Sequence, residues 1–326
     1  MQIEFTQGST KLQQLIDSLS VAIGQERFRI GESLPSINQL SNINQVSRDT
    51  VFKTYQELKR RGLIDSTPAK GYYVAGTTNK VFMLLDTFSP FKDVLYNAVV
   101  SNLPKGYTID LLFHHHNPRV FESAINDSLG RYNAYVVMNF NNDRISETLR
   151  KIDSGKLLIL DWGKYADENY AFACQDFDKA LYECLDSGWE LIRKYKKMVM
   201  YLPESSPHPR SCVKYFKAFC NDRGIQSEVV TRLEESGLER GTAYLVIPQK
   251  ELVEMLKFCR GKRYRLGHDI GLIAYNDTPV YEIIDEGITV ISTDFVQMGQ
   301  RAAHFIRSKQ KIQEIIPTRL IVRGTL

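Results

Sequence analysis

Residues 34–64 read LPSINQLSNINQVSRDTVFKTYQELKRRGLI and decide the fold of the N-terminal region. The proline falls in the first turn of a short helix, with Leu40 on the buried side. Ser47 is a good N-cap for the next helix, and Gly62 supplies its stop. Apolar side chains recur in that helix at helical spacing, at Val51, Tyr55 and Leu58. The stretch predicts two helices joined by a short turn.

The flanking residues complete a small domain. Leu12, Leu15, Ile16, Leu19 and Ile23 recur at spacings of three and four. This pattern predicts an earlier amphipathic helix. Two β-prone runs follow, at 63–66 and 71–74, and the turn-forming residues 67–70 join them. Three helices and a hairpin make a winged helix-turn-helix.

The motifs of this region resemble the N-terminal domain of GntR-type regulators. The matching positions are Gly31, Leu34-Pro35-Ser36, Leu40, Val46-Ser47-Arg48, Thr50-Val51, Leu58, Gly62-Leu63-Ile64 and Lys70-Gly71-Tyr72-Tyr73-Val74. The resemblance implies binding to double-stranded DNA, with the third helix in the major groove and the wing at the minor groove.

The resemblance also implies roles for single residues. Ser47 and Thr50 match hydroxyl positions that contact phosphate, where the helix N-terminus adds N–H donors and a favourable dipole. Arg48 matches a base or phosphate contact, because its planar fork can pair with guanine. Lys70 and Gly71 match the wing tip.

Four further residues complete the predicted DNA-binding set: Ser36, Asn38, Asp49 and Lys53. The chain departs from the GntR pattern at Asn38, where many members carry Arg, and at Phe52, which is often polar. We therefore expect the docking geometry to transfer better than the base preference.

Length and charge agree with a protein of several domains. The chain has 326 residues, of which 43% are hydrophobic and 25% charged, as in ordinary globular proteins. The formal net charge is +4 and the pI about 8.6. Residues 9–76 hold nine Lys or Arg against six acids, which is +3 of that charge. The basic run 59–61 is interpreted as a solvated helix end.

Several classes of protein are disfavoured. The five cysteines form no C-x-x-C pair, so neither a disulfide framework nor a zinc ribbon is indicated. The first residues lack a secretory signal, and no apolar run approaches the roughly 20 residues that span a membrane. We expect a cytoplasmic protein with no membrane contact, no metal and no cofactor.

The body alternates strand-like and helical patterns. Predicted strands are 81–85, 108–113, 134–138, 157–160, 197–202, 243–247 and 270–274, and predicted helices are 92–102, 179–194, 213–223 and 250–259. This alternation predicts an α/β fold with open parallel sheet, in which ligands bind beyond the carboxyl ends of the strands. The predicted domains are a head at 1–75, a linker at 76–80 and a body at 81–326.

The body resembles the periplasmic-binding-protein-like effector domain of LacI-type regulators. The segments that carry the resemblance are DIGLIAYNDTPVYEIIDEGITVISTDFVQMGQRAAHFI, from residue 269 to 306, and PTRLIVRGTL, from 317 to 326. The resemblance implies two lobes that close on a small ligand, often a sugar.

Five ligand-binding positions are carried over from the LacI pattern. Asn276 matches a carboxylate that pairs with sugar hydroxyls, and the amide alters the balance of donors and acceptors. Asp176 and Arg210 match other ligand positions, although Asp176 could merely cap a helix and Arg210 could pair with a surface acid. Phe88 and Ser89 would lie at the mouth of the cleft.

Three consecutive histidines allow more than one interpretation. If they continue a strand, only His114 and His116 share a face, and no further cluster supplies metal ligands. His114 and His115 are assigned to the ligand cleft because they follow a strand, while ordinary loop histidines and a metal site are also possible.

The expected function is regulation of transcription by a homodimer that responds to a monosaccharide or a derivative. An enzyme is not expected, because no catalytic motif is present and the chain is too short for the aminotransferase-like body of one GntR subgroup. Two competing hypotheses are a transport-type sugar-binding protein and a ligand-independent architectural DNA-binding dimer.

Overall fold

A computed structural model describes residues 1–68, 70–75, 79–139, 145–162, 169–232 and 238–326. The head contains α1 (Lys11–Gly24), α2 (Ile37–Asn44), α3 (Arg48–Arg60), β1 (Ile64–Thr67) and β2 (Gly71–Val74). The two strands pair antiparallel as the wing. The winged helix-turn-helix predicted from the sequence is thereby confirmed, and Leu15, Leu40 and Tyr55 lie at the centre of its core. Residues 76–78 of the predicted linker lie outside the described residues.

The first half of the body builds one six-stranded sheet. Its elements are β3 (Lys80–Leu85), α4 (Pro90–Ser101), β4 (Thr108–Phe113), α5 (Pro118–Ser128), β5 (Ala134–Met138), β6 (Leu157–Asp161) and β7 (Ala171–Cys174). With β13 (Gln313–Ile315) added from the end of the chain, the strand order is β13-β7-β6-β5-β3-β4. The pairs from β4 through β3 and β5 to β6 are parallel.

The second half builds another six-stranded sheet. Its elements are α6 (Lys179–Ser187), α7 (Trp189–Ile192), β8 (Lys197–Tyr201), α8 (Cys212–Asp222), β9 (Gln226–Val230), β10 (Thr242–Val246), α9 (Gln249–Gly261), β11 (Ile270–Tyr275), β12 (Thr289–Thr293), α10 (Phe295–Ser308) and β14 (Thr318–Ile321). The strand order is β14-β12-β11-β10-β8-β9, parallel except for β14, which runs antiparallel to β12.

These two parallel-dominated sheets confirm the predicted α/β class. One predicted helix is wrong in extent, because residues 179–194 form two helices that break at Gly188. A Cβ at that position would lie 2.5 Å from the Leu320 side chain, so β14 occupies the space that any side chain would need. Strands β7, β9, β12, β13 and β14 do not follow from the periodicity of the sequence.

The chain divides into two compact units. The N-terminal unit comprises Met1–Phe88, Tyr96–Ala173 and Gly299–Glu314, and therefore contains the head and the first sheet. The C-terminal unit comprises Ser89–Leu95, Cys174–Met298 and Ile315–Leu326. Within the described ranges, no helix combines the length and the apolar character needed to cross a membrane.

Candidate DNA-binding surface and ligand-binding residues

The turn between α2 and α3 is fixed by capping at both of its ends. Ser36 caps α2 in a reciprocal arrangement, since its hydroxyl accepts from the Gln39 N–H at 3.2 Å and its own N–H donates to the Gln39 side chain at 2.8 Å. Gln45 then ends α2 in the left-handed conformation, with φ of 50°. Ser36 is thus a structural cap at the start of α2.

The N-terminus of α3 presents hydroxyl and N–H groups at the surface. The Ser47 hydroxyl accepts from the Thr50 N–H at 3.0 Å and contacts the Thr50 hydroxyl at 2.8 Å. The first N–H groups of a helix have no partner within it and carry the positive end of the helix dipole. This end of α3 can therefore accept a phosphate group, as predicted for Ser47 and Thr50.

Arg48 is the charged group most available to DNA on α3. Its side chain is exposed, and no hydrogen bond or ion pair joins it to another described residue. Asp49 and Lys53 instead form an exposed ion pair at 2.8 Å, which partly cancels the charge predicted for Lys53. Phe52 lies on the same helix with 45% of its surface exposed. Asn38 is exposed near the start of α2.

Tyr55 connects α3 to the start of α2. It is fully buried, its hydroxyl donates to the Pro35 carbonyl at 2.5 Å, and its ring lies 4.6 Å from that of Tyr72 in the wing. Burial raises the pKa of Tyr55, so the hydroxyl keeps its proton and remains a donor. One side chain therefore sets the position of α3 relative to both α2 and β2.

The wing presents Lys70 beside a glycine in the left-handed region. Gly71 has φ of +74°, a conformation that favours glycine, and a Cβ there would meet no atom within 4 Å. The Lys70 ammonium lies 4.8 Å from the centre of the Tyr73 ring. Ala69, in the predicted turn, lies outside the described residues.

The basic end of α3 is paired within the head. Arg60 and Arg61 contact Glu57 at 2.6 and 2.8 Å, and Lys59 contacts Asp65 at 2.9 Å. The hydrogen bond from Arg60, aided by Arg61, lowers the pKa of Glu57 to about 2. These cations hold the end of α3 and contribute less free charge than Arg48.

In the C-terminal unit, Asn276 follows β11 with φ of 63°. Its N–H donates to the Ile291 carbonyl at 2.8 Å, while its side-chain oxygen is buried without a hydrogen-bond partner among the described residues. Leaving a buried acceptor unpaired costs about 1–3 kcal/mol. Such an atom is well suited to accept a hydrogen bond from a ligand hydroxyl.

An aromatic cluster adjoins Asn276 in the sequence. The Tyr275 ring is stacked with that of Phe177 at 6.5 Å, and the His208 ring packs edge-on against both, at 4.7 and 5.1 Å. Burial, with a smaller contribution from Arg210, lowers the pKa of His208 to about 3. The imidazole is therefore neutral at pH 7, with a buried Nε2 atom that lacks a partner in the described part of the chain.

Sequence reasoning missed His208, which lies in the segment SSPHPRSC together with Arg210. The LacI pattern instead points to Arg210 as the ligand contact, because that position matches a basic residue. Its guanidinium donates to the backbone carbonyls of Leu202, at 3.0 Å, and Pro203. Arg210 thus braces the loop after β8, and its predicted contact with ligand stays a prediction.

Asp176 has a comparable structural role. One of its carboxylate oxygens accepts from the N–H groups of Asp178 and Lys179 at 2.8 and 3.2 Å, at the start of α6. This is the capping role that the sequence allowed. The second carboxylate oxygen has no hydrogen bond to the described residues, so a ligand contact remains a prediction.

The remaining predicted positions are distributed over both units. In the N-terminal unit, Phe88 is 69% exposed and packs edge-on against Phe113 at 6.1 Å. In the C-terminal unit, the buried Ser89 hydroxyl has no hydrogen-bond partner among the described residues, while its carbonyl accepts from the Lys92 N–H at 3.0 Å.

The three histidines do not continue β4, which ends at Phe113. His115 and His116 have φ of 49° and 53°, so the expected alternation of faces along a strand is wrong here. His114 is fully buried, and its Nδ1 accepts from the His116 N–H at 3.2 Å, whereas His115 is exposed. Within the described ranges, no group of three or more His, Cys, Asp or Glu could hold a metal ion.

A cavity of about 400 Å³ also opens within the C-terminal unit, a volume typical of small-molecule sites. The rings of Phe91 and Phe295, 4.8 Å apart, line it together with Asp277 and Thr278. The Thr278 hydroxyl is buried and has no hydrogen-bond partner among the described residues. This unit therefore offers both apolar surface and unsatisfied polar atoms to a ligand.

Comparison with known proteins assigns the two parts of the chain separately. Residues 11–74 match the model of the bacterial regulatory proteins of the gntR family, and residues 192–326 match that of the periplasmic binding protein-like domain. The HTH-type transcriptional regulator YcxD of Bacillus subtilis is 39% identical over 71 residues, which are 22% of this chain and 14% of YcxD. The transcriptional repressor YtrA of the same organism is 28% identical over 75 residues, 23% of this chain and 58% of YtrA.

Solved structures resemble the body. The trehalose repressor of Escherichia coli superimposes with a TM-score of 0.63 at 15% identity, covering 75% of this chain and all of that one. A LacI family regulator of Lactobacillus casei with bound glucose gives 0.61 at 14% identity, covering 76% of this chain and 99% of that one. The curated relatives are named as transcriptional regulators, and the likeness to the solved structures shows a shared fold. The chain therefore combines an N-terminal winged helix-turn-helix similar to the gntR-family regulatory proteins with a body whose C-terminal part is similar to the periplasmic binding protein-like domain.

Proposed function

We propose that the protein is a transcriptional regulator whose affinity for an operator is set by a small-molecule effector. The observation that carries the proposal is the exposed N-terminus of α3, with Ser47 and Arg48, in the same chain as a periplasmic-binding-protein-like body. Arg48 has no partner among the described residues. The head supplies contacts to DNA, and the body supplies a ligand site. Binding to DNA implies action in the cytosol.

A sugar is the effector class that the chemistry favours. A sugar ring presents an apolar face to an aromatic side chain and hydroxyl groups to buried acceptors and donors. The rings of Phe91 and Phe295, which line the cavity of the C-terminal unit, offer the first, and the side-chain oxygen of Asn276 offers the second. The structural neighbours include a trehalose repressor and a regulator with bound glucose. We infer a monosaccharide or a derivative.

The regulator acts as a homodimer on a pseudo-palindromic operator. Two heads related by a two-fold axis read half-sites about one helical turn apart, or a multiple of it. Effector and operator are then linked, so that each changes the affinity of the other by the same factor, typically about 1–3 kcal/mol.

The experiment begins by selecting a binding sequence from random duplexes with the full chain. A melting-temperature screen against mono- and disaccharides then identifies the effector, since a ligand that binds the native state stabilises it. Gel-shift titrations with and without that sugar complete the test. A change in operator affinity of about fivefold or more is expected. Tight DNA binding that no sugar alters would instead favour the ligand-independent architectural dimer.

A further inference from the structure

A second cavity, of about 450 Å³, lies within the N-terminal unit between the head and the first sheet. The end of α1 and the base of the wing form one wall. The opposite wall is formed by residues 130–133 together with Lys156 and Lys309. The cavity therefore exists only where head and body meet.

Direct contacts fix these two walls against each other. The Lys156 ammonium donates to the Gly24 carbonyl at the end of α1 at 3.0 Å and pairs with Glu26 at 3.0 Å. A cation at this position also complements the negative end of the helix dipole. A Cβ added to Gly130, whose φ is +75°, would lie 2.9 Å from the Ser20 carbonyl. The backbones are so close that only glycine is accommodated there.

The cavity carries an excess of positive charge. Four cationic side chains line it, from Arg29, Arg131, Lys156 and Lys309, against Glu26 as the single carboxylate among its described lining residues. The Lys309 ammonium is held by a hydrogen bond to the Asn133 carbonyl at 2.6 Å. Burial and the nearby Lys156 lower the pKa of Lys309 to about 8. Lys156 and Lys309 each disfavour the charged form of the other, and both line the open volume. An anion bound there would stabilise the charged forms of both side chains.

The cavity lies at the C-terminal end of α3, whereas the end proposed to contact DNA is the N-terminus. Gly62, just beyond the C-terminal end of α3, lines it, whereas Arg48 begins the helix. Thirteen residues of helix separate the two ends by about 20 Å. A phosphate bound at the N-terminus of α3 therefore does not occupy the cavity.

We propose that this cavity binds a small organic molecule bearing a phosphate group, with Lys156 and Lys309 holding the phosphate. A phosphate ester carries a charge of about −1.5 to −2 at pH 7, which matches the excess of cations better than a single carboxylate does. The volume exceeds that of a bare phosphate ion and lies in the range of small-molecule sites. Phe28, Leu63 and Tyr132 offer apolar surface to the organic part.

Such a ligand contacts the head and the body at once. Ligand binding therefore stabilises the arrangement in which the head is docked on the body, relative to arrangements in which the two walls separate. This anion site is separate from the sugar-class site proposed in the C-terminal unit, and its existence does not depend on that proposal.

The test is calorimetric titration of the full chain with inorganic phosphate, at an ionic strength kept constant with sodium chloride and at pH 7. Saturable binding is expected. Lys309→Gln should weaken phosphate affinity about tenfold or more, since one charged hydrogen-bond donor is lost. Lys311→Gln is the matched control, because the Lys311 ammonium contacts Asn169 and does not line the cavity. The phosphate affinity of this variant should equal that of the wild type.

A variant with increased phosphate affinity distinguishes an effect on binding from a loss of folding. Glu26→Gln removes the carboxylate that competes for Lys156 and should tighten phosphate binding about two- to fivefold. Equal affinities in the wild type, Lys309→Gln and Glu26→Gln would overturn the proposal, as would the absence of saturable binding. These titrations use neither operator nor sugar, so their failure leaves the proposed regulatory function intact.

Discussion

The guanidinium of Arg323 binds both carboxylate oxygens of Asp277, at 2.9 and 2.7 Å. Arg323 follows β14, whereas Asp277 follows β11, and 46 residues of chain separate them. The N–H of Asp277 also donates to the Ser292 hydroxyl at 2.9 Å. The loop that begins with Asn276 is therefore held by Ser292 of β12 and by Arg323, which follows β14.

Loss of this pair should destabilise the C-terminal unit. Arg323→Ala leaves a mostly buried carboxylate without its partner, and we expect a loss of about 2 kcal/mol in the free energy of unfolding. Urea denaturation followed by fluorescence measures the change. The control is Arg232→Ala, at an exposed position, which should alter stability by less than about 0.5 kcal/mol. Equal stability of both variants would contradict the structural role of Arg323.

Arg48→Ala should weaken operator binding by about 1–3 kcal/mol. The reason is that Arg48 is exposed at the start of α3 and has no competing partner among the described residues. Gel-shift titration on the selected operator gives the affinity. Arg60→Ala serves as the control, because that guanidinium is engaged by Glu57. An unchanged affinity in Arg48→Ala would exclude a DNA contact.

Lys70→Ala should flatten the salt dependence of DNA binding. Loss of one phosphate contact reduces the slope of log K against log salt concentration by about one unit. Gel-shift titrations at several salt concentrations provide the slope. Lys59→Ala should leave it nearly unchanged, because Lys59 is paired with Asp65. Identical slopes for the wild type and both variants would count against a wing contact.

Asn276→Ala should abolish the rise in melting temperature that the effector causes. The buried side-chain oxygen of Asn276 lacks a hydrogen-bond partner among the described residues, so a ligand donor is expected to supply one. DNA affinity in the absence of sugar should not change. Thermal melting with and without the sugar measures the effect, and a full shift in the variant would remove Asn276 from the site.

The depressed pKa of His208 predicts a dependence of stability on pH. The pKa is about 3 in the folded chain, against about 6.5 for an unperturbed histidine, so the unfolded chain binds a proton first as pH falls. The contribution is fully present above pH 6.5 and is lost progressively below it. His208→Gln should therefore show a flatter decline in stability between pH 6.5 and 5. In NMR titration, the His208 ring should not titrate between pH 8 and 5; a midpoint near 6.5 would contradict its burial.

Local patterns in the sequence predicted the head and several strands of the body. The bounds of β4 and β5 match their predictions. For β5 the reason is that a buried parallel strand leaves a continuous apolar run. Ser47 and Gly62 mark the two ends of α3, because capping depends on residues close in the chain. The resemblances added the fold of the body and the candidate positions Asn276 and Arg48.

Tertiary structure decided what depends on partners distant in the chain. Only glycine fits at position 188, where a predicted helix breaks, because Leu320 packs there. Asp176 is a cap because α6 begins beside it. The depressed pKa of His208 arises from burial beside rings far from it in sequence. The cavity around Lys156 and Lys309 requires head and body together. Sequence periodicity and capping act over a few residues, whereas burial and charge pairing depend on the folded arrangement of the whole chain.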